Sequence, residues 1–243
     1  MRPRGDEQVF KELKQEVCRA NLELIDSQLV TLTWGNASGF DPRENLVVIK
    51  PSGMTYKEMK PEQMVVVDLN GSVIEGDLQP SSDTPTHIEL YKSFEGINSV
   101  VHTHSDFASM FAQANKEIPC LGTTHADYFK GSVPITRKLS QDEVESNYEK
   151  NTGKAIVEAF ENMDYWAVPA ALVAGHGPFA WGKTPEEAVK VSKALEKIAK
   201  MAWGTLGLKP EQIPLPYYII RKHYSRKHGP DAYYGQKKGE EHD

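Results

Sequence analysis

LVTLTWGNASGFDPRENLVVIKPSG, residues 29–53, contains one plan twice. Each half opens on an apolar, β-prone run and closes on small polar residues that include glycine. LVTLTW reads as a strand breaking at Gly35-Asn36, and LVVI as a strand breaking at Lys50-Pro51-Ser52-Gly53. Upstream, Val9, Leu13, Val17, Ala20 and Leu24 recur at three- and four-residue steps, the stripe of a helix over about residues 7–26. Downstream, MVVVDLNGSVIEG (64–76) reads as a hairpin turning at Asn70-Gly71. PSSDTPTHIELYKSF (80–94) opens a helix, with Ser82 or Asp83 able to cap it and Pro85 tolerated in its first turn.

INSVVHTH (97–104) reads as a strand, and Leu172 to Ala174 as a shorter one running into Gly-His-Gly-Pro. TPEEAVKVSKALEKIAKMAWGTLG (184–207) is the clearest helix. Thr184 and Glu187 form a capping box, Pro185 takes the first helical position and Gly207 ends the helix. Ala188, Val191, Leu195, Ile198 and Ala202 form its apolar stripe. Alternating strands and helices imply a layered α/β fold, one domain over residues 1–243 with a polar end, 237–243, expected to fray. Pattern alone does not order the strands.

Composition bounds the function. No run approaches the roughly 18 apolar residues that a membrane span needs. MRPRGDEQVF has no apolar signal-peptide core, so the expected compartment is the cytoplasm. A formal net charge of -6 argues against a general nucleic-acid surface. RKHYSRKH (221–228) is a local exception, either a solvated helix end or a seat for a small anion. Cys18 and Cys120 form no C-x-x-C pattern and read as free thiols. Neither a dinucleotide fingerprint nor a Walker loop occurs, which argues against a nicotinamide cofactor.

His102 and His104 stand at i and i+2 of a strand, so both imidazoles face one side and can reach one point. His176, between Gly175 and Gly177, is either a loop histidine or a third ligand that leaves zinc an open position. Asp83 is either a helix cap or a carboxylate ligand. In the second case Ser81 and Ser82 present donors beside a helix N-terminus, a natural anion site. GTTHADYF (122–129) is either a polar loop or the seat of a general base, Asp127. Two adjacent tyrosines near the chain end, Tyr233 and Tyr234, suggest packing or a phenolic proton donor.

LVTLTWGNASGFD, VIKPSGM, PSSDTPTH, VVHTHS, GTTHADYF, GHGPFAWGK and KHYSRKHGPDAYYGQ together resemble the class II sugar-phosphate aldolase/epimerase family, over about residues 7–236. The resemblance implies a three-layer α/β/α fold with a largely antiparallel central sheet. It also implies a homotetramer with active sites at subunit boundaries. It implies Zn2+ on Asp83, His102, His104 and His176, a ligand set that also accepts Mn2+ or Co2+. Substrate phosphate and hydroxyls would be held by Gly35, Asn36, Lys50, Ser52, Gly53, Ser81 and Ser82, with Thr123, His223 and Arg226 in support. Asp127 and Tyr234 would be the acid/base pair, the tyrosine reaching in from a neighbouring subunit.

Within the family the motifs favour epimerisation at C4 of a ketopentose phosphate, L-ribulose 5-phosphate to D-xylulose 5-phosphate, in a setting such as arabinose use. The C4 hydrogen is not adjacent to the carbonyl, so deprotonation there gives no stabilised anion. Cleaving the C3–C4 bond does: it leaves an enediolate that a divalent cation can stabilise, and glycolaldehyde phosphate. If that aldehyde turns over before the bond reforms, C4 is inverted. The rival is an L-fuculose- or L-rhamnulose-phosphate-type aldolase, which carries an acidic base, typically Glu, where this chain has Asp83. A non-catalytic member of the fold is a second rival, and the full set of matched residues speaks against it.

Overall fold

A computed structural model describes residues 4–228 and 232–234, with side chains from Phe10 onward. The expected frayed end, 237–243, and the Val9 side chain lie outside the described residues. Among them, seven strands make one sheet: β1 (Asn36–Asp41), β2 (Leu46–Ile49), β3 (Val65–Asp68), β4 (Val73–Glu75), β5 (Ser99–His102), β6 (Ala170–Leu172) and β7 (Pro178–Gly182). Their order is β4-β3-β2-β1-β5-β7-β6, and every neighbouring pair is antiparallel. The helices are α1 (Arg4–Asp26), α2 (Thr84–Ser93), α3 (Asp106–Gln113), α4 (Thr123–Ala126), α5 (Gln141–Glu158), α6 (Pro185–Leu208) and α7 (Tyr217–His228).

Side-chain alternation divides the core into two. Val47, Ile49, Val65 and Val67 enter one cluster, closed by Leu90 of α2, Phe111 of α3 and Ile156 of α5. Leu46, Val48, Met64 and Val66 enter the other, closed by Val17, Ala20 and Leu24 of α1. Strands buried on both faces read as unbroken apolar runs, which is why LVVI and MVVV lack polar alternation. Helix α6 joins both clusters: Ala188 and Val189 pack with α1, and Val191, Leu195, Ile198 and Ala202 pack in the larger core. Helices on both faces of an antiparallel sheet make the expected α/β/α arrangement. The hairpin also forms where expected, with Gly71 at φ 85° and its N–H on the Asp68 carbonyl.

Some boundaries differ from the sequence reading. LVTLTW is not a strand, since Leu32 adopts φ 56° and its side chain, like that of Trp34, is exposed. The strand is NASGFD, the part that looked like a break. Its small polar residues tolerate the sheet centre because partners wait there. Ser38 Oγ lies 2.7 Å from His87 Nδ1 and 2.6 Å from Tyr91 Oη. The strand placed at 172–174 runs instead over Ala170–Leu172. Helix α6 passes through Gly207 to Leu208. Thr184 Oγ1 caps it at Glu187 N as read, whereas the Glu187 carboxylate takes the N–H of Lys183 rather than that of Thr184. Residues 105–121 and 130–169, without a sequence assignment, contain α3 and α5. The capping box of α5, Ser140 with Glu143, was the legible signal there. Cys18 and Cys120 are free and buried.

The centre of the sheet is close-fitted. β1 pairs with β5 so that Asn36 faces His102. Gly35, just before it, has φ 74°, and a Cβ there would stand 2.8 Å from the His102 carbonyl oxygen. On the other side, a Cβ on Gly177 would stand 2.7 Å from the Thr103 carbonyl oxygen. Both obstructions are backbone, which cannot swing aside. Gly177→Ala is expected to lower the unfolding free energy by about 1–3 kcal/mol through overpacking, measured by denaturant titration. An unchanged midpoint would show that the two backbones part without cost.

Candidate active site

Three imidazoles meet at this close-fitted end of the sheet. His102 is the last residue of β5, His104 lies just past the strand, and His176 sits in the turn between β6 and β7. The expected same-face strand geometry therefore holds for His102 alone, and the turn after β5 delivers His104. His102 Nε2 and His104 Nε2 are 3.0 Å apart, and one ligand atom from each of the three residues falls within 4.8 Å of the others. The Pro178 carbonyl, 3.0 Å from His102 Nδ1, can only accept, so that nitrogen holds the proton and Nε2 keeps its lone pair. Phe179 stacks on the His102 ring at 4.2 Å. Burial lowers all three imidazole pKa values, that of His102 to about 3. The rings are thus neutral at physiological pH, as metal ligands must be. Two facing nitrogen lone pairs repel unless a proton or a cation lies between them, so the donor set fits a divalent cation.

Asp83 occupies the N-cap position of α2 but makes no capping bond. Its carboxylate instead accepts a 2.7 Å hydrogen bond from Asn36 Nδ2, across the face of the sheet. Burial opposes its charge, while the imidazoles of His102 and His87 and the Asn36 hydrogen bond favour it; the carboxyl is held below its ordinary range. Asp83 stands beside the histidine cluster, close enough for its charge to act on all three rings.

A polar rim connects to it. Asn36 Nδ2 also donates to Ser81 Oγ at 3.0 Å, Ser81 N to the Lys50 carbonyl at 3.0 Å, and Ser52 N to the Gln79 carbonyl at 2.9 Å. These bonds draw the turns that carry Gly35, Asn36, Lys50, Ser52, Gly53, Ser81 and Ser82 toward one another. Tyr56 Oη locks the first of them by donating to the carbonyls of Trp34 and Gly35, at 2.8 and 3.0 Å. Lys50 is buried, and burial pushes its pKa down to about 8 against the charge of Asp83. Asn36 Oδ1 is buried with no protein partner, an acceptor available to a ligand hydroxyl.

The remaining site residues form a second group. Asp127 follows α4, whose Thr123 carbonyl takes its N–H, and pairs with α7. Its Oδ1 accepts from Arg226 Nε at 2.8 Å and His223 Nδ1 at 3.2 Å, and its Oδ2 from Arg226 Nη2 at 2.5 Å. Burial would raise the Asp127 pKa, and the Arg226 and His223 hydrogen bonds outweigh it and lower it. Tyr234 N bonds the Arg226 carbonyl, and its ring lies 4.8 Å from the Arg226 guanidinium. Among the described residues, no hydrogen bond, ion pair or ring contact joins this group to the histidines. Asp127 is tied instead to Tyr234, through Arg226.

Two residues here escaped the sequence reading. His87, one turn after Asp83, is fully buried behind it and bonded to Ser38. Tyr148 Oη lies 3.3 Å from His176 Nδ1. Helix α5 breaks at Asn147 (φ -145°, ψ 67°), and Asn151 Nδ2 bonds the Glu143 carbonyl across the break. No periodic mark in the sequence announces that kink.

Residues 15–203 match the sequence profile of the Class II Aldolase and Adducin N-terminal domain. The chain is 52% identical, over 94% of its length and 100% of theirs, to proteins named L-ribulose-5-phosphate 4-epimerase UlaF from Salmonella paratyphi C and Salmonella choleraesuis. Among solved structures, one of an L-fuculose 1-phosphate aldolase superposes with a TM-score of 0.75 at 26% identity, covering 88% of this chain and 95% of that one. YgbL from Klebsiella pneumoniae, described as a putative aldolase/epimerase/decarboxylase, superposes at 0.70 with 23% identity, over 88% and 98% of the two chains, and shows the shared fold.

Two substitutions test the cluster. His102→Ala removes the most buried ring of the three, and the purified protein is expected to lose stoichiometric divalent metal by elemental analysis. Full metal occupancy in that variant would exclude His102 as a ligand. Tyr148→Phe removes the hydroxyl on His176 and is expected to weaken metal binding about 10-fold, read by competition with a chromogenic chelator. Unchanged affinity would reduce the contact to packing.

Proposed function

The chain belongs to the class II aldolase and adducin N-terminal domain family, and from that premise we propose that it is an isomerase that inverts C4 of a ketopentose phosphate, L-ribulose 5-phosphate to D-xylulose 5-phosphate. The observation that carries this reading is 52% identity to 4-epimerases over their whole length, in a chain whose three neutral imidazoles converge beside an ionised Asp83. The family is metal-dependent and the histidine cluster is present. Three imidazoles and a carboxylate suit Zn2+, with Mn2+ or Co2+ as substitutes. His102, His104, His176 and Asp83 would hold the ion. When bound, such an ion supplies positive charge to the oxyanion that C3–C4 cleavage leaves behind.

The protein's own residues supply the rest. Lys50, Ser52, Gly53, Ser81 and Ser82 give an ammonium, hydroxyls and backbone N–H groups to the phosphate, and Gly35 and Asn36 border the sugar. Asp127 and Tyr234 transfer the C4 hydroxyl proton, one taking it before cleavage and the other returning it on the opposite face after the aldehyde turns. His223 and Arg226 hold the Asp127 carboxylate. Thr123 stands one helical turn before it. Among the described residues neither Asp127 nor Tyr234 contacts His102, His104 or His176 of its own chain, which supports both groups, and not the tyrosine alone, serving the site of a neighbouring copy.

A homotetramer, with each chain acting as a single unit, follows from that reading. The exposed apolar side chains of Trp203, Ile213, Tyr217 and Tyr218 favour such assembly. No described helix is long and apolar enough to cross a membrane, in keeping with a cytoplasmic enzyme acting on a small phosphorylated sugar.

The decisive measurement is a coupled assay for D-xylulose 5-phosphate from L-ribulose 5-phosphate. Turnover is expected to vanish with chelator and return with Zn2+. Steady release of free dihydroxyacetone in place of epimer would establish an aldolase instead. Tyr234→Phe is expected to keep fold and metal and lose turnover by about 100-fold or more. Normal turnover in that variant would remove the phenol from proton transfer.

A further inference from the structure

Lys227 stands between the two groups to which proton transfer is assigned. Its ammonium lies 3.7 Å from Asp127 Oδ2, 4.5 Å from the centroid of the Tyr234 ring and 4.7 Å from that of Tyr128. The Lys227 side chain is only 19% exposed, although it sits in the last turn of an α7 with one buried residue. The ammonium is therefore turned to protein groups along with the stem, whereas lysine ordinarily buries the stem and leaves the charged head in water.

Tyr234 needs such an anchor. It is 59% exposed and joins the body of the chain through its N–H on the Arg226 carbonyl and through cations at its ring. Arg226 already directs Nε and Nη2 at Asp127, so its planar fork is oriented by that carboxylate. An ammonium has no such plane. Held between two ring faces, it draws both toward itself by their quadrupoles and still faces the carboxylate.

We propose that Lys227 is a positioning residue for the epimerisation: its ammonium clamps the Tyr234 ring against Tyr128 and holds it in register with Asp127. The two proton-transfer groups then meet the substrate as one rigid unit joined through the end of α7, and the neighbouring site receives both or neither. This rests on the assignment of Asp127 and Tyr234 as the acid/base pair.

A clamp and a substrate contact differ in kinetics. A residue that touches substrate phosphate changes KM; a residue that orients the phenol changes kcat alone. Lys227→Met is expected to lower kcat about tenfold, between the exposed and the desolvated range of a cation–π contact, with KM and metal content unchanged. Lys227→Arg keeps a cation over the rings and is expected to restore most of that loss. With 3-fluorotyrosine incorporated, the 19F resonance of Tyr234, assigned by its absence in Tyr234→Phe, is expected to narrow in Lys227→Met as the ring is released. Tyr128→Leu removes the second ring and leaves the charge, and is expected to lower kcat in the same direction; it decides the matter if Lys227→Met fails to fold.

Unchanged kcat in Lys227→Met, or in Tyr128→Leu where Lys227→Met does not fold, overturns the clamp, as does a raised KM at constant kcat. Tyr234→Phe and Asp127→Asn separate the two levels. Full turnover in those variants sinks the acid/base assignment and the clamp with it. Loss of turnover there, with wild-type kcat in Lys227→Met, sinks the clamp alone.

Discussion

The end of β5 is gripped between two backbones, and the site depends on that grip. Neither Gly35 nor Gly177 can carry a Cβ without meeting the carbonyl oxygens of residues 102 and 103. The absent side chains let β1 approach with Asn36 opposite His102, and let the turn before β7 bring Pro178 O to His102 Nδ1. The first contact sets the Asn36 amide on Asp83. The second fixes the His102 tautomer, so that its free lone pair faces the other rings. A looser fit at Gly35 would release the first arrangement, and one at Gly177 the second.

Polar residues at the centre of the sheet work against stability, and the structure shows how most of them are satisfied. Ser38 bonds both His87 and Tyr91, and Ser99 Oγ donates to the Ser38 carbonyl. Asp83 leaves the first turn of α2 without a side-chain cap, which ordinarily costs a helix about 1 kcal/mol. In return its charge stands beside three neutral imidazoles. Asn36 Oδ1 and His87 Nε2 remain without protein partners. Local choices that disfavour the fold thus collect around the histidines, the pattern expected where function rather than packing selects the residue.

The candidate residues fall into two halves within one chain. Asp127, His223, Arg226, Lys227 and Tyr234 are bound to one another through α7, and among the described residues no hydrogen bond, ion pair or ring contact joins them to His102, His104 or His176. Under the proposed function neither half suffices alone: one gathers the imidazoles and Asp83, the other Asp127 and Tyr234. The proposed homotetramer would join unlike halves of neighbouring copies.

Regular elements were legible in the sequence where local pattern and burial agree. LVVI, MVVV and the stripe from Ala188 to Ala202 are apolar because each is buried on the faces that its period presents. The three histidines and the turns rich in small donors were legible too, because few folds have another use for that chemistry at that spacing. NASGFD was not, since its low β-propensity is outweighed by partners from α2 and β5 that no local window contains. Tyr148 stayed hidden behind a helix break whose effect is felt 28 residues away. Tertiary contact decided the two remaining questions. Asp83 is released from capping by Asn36, 47 positions earlier, and Asp127 is paired with α7 across 99 positions. Residue type determines what chemistry a side chain can do, but chain closure over such distances determines which other side chains it does it with.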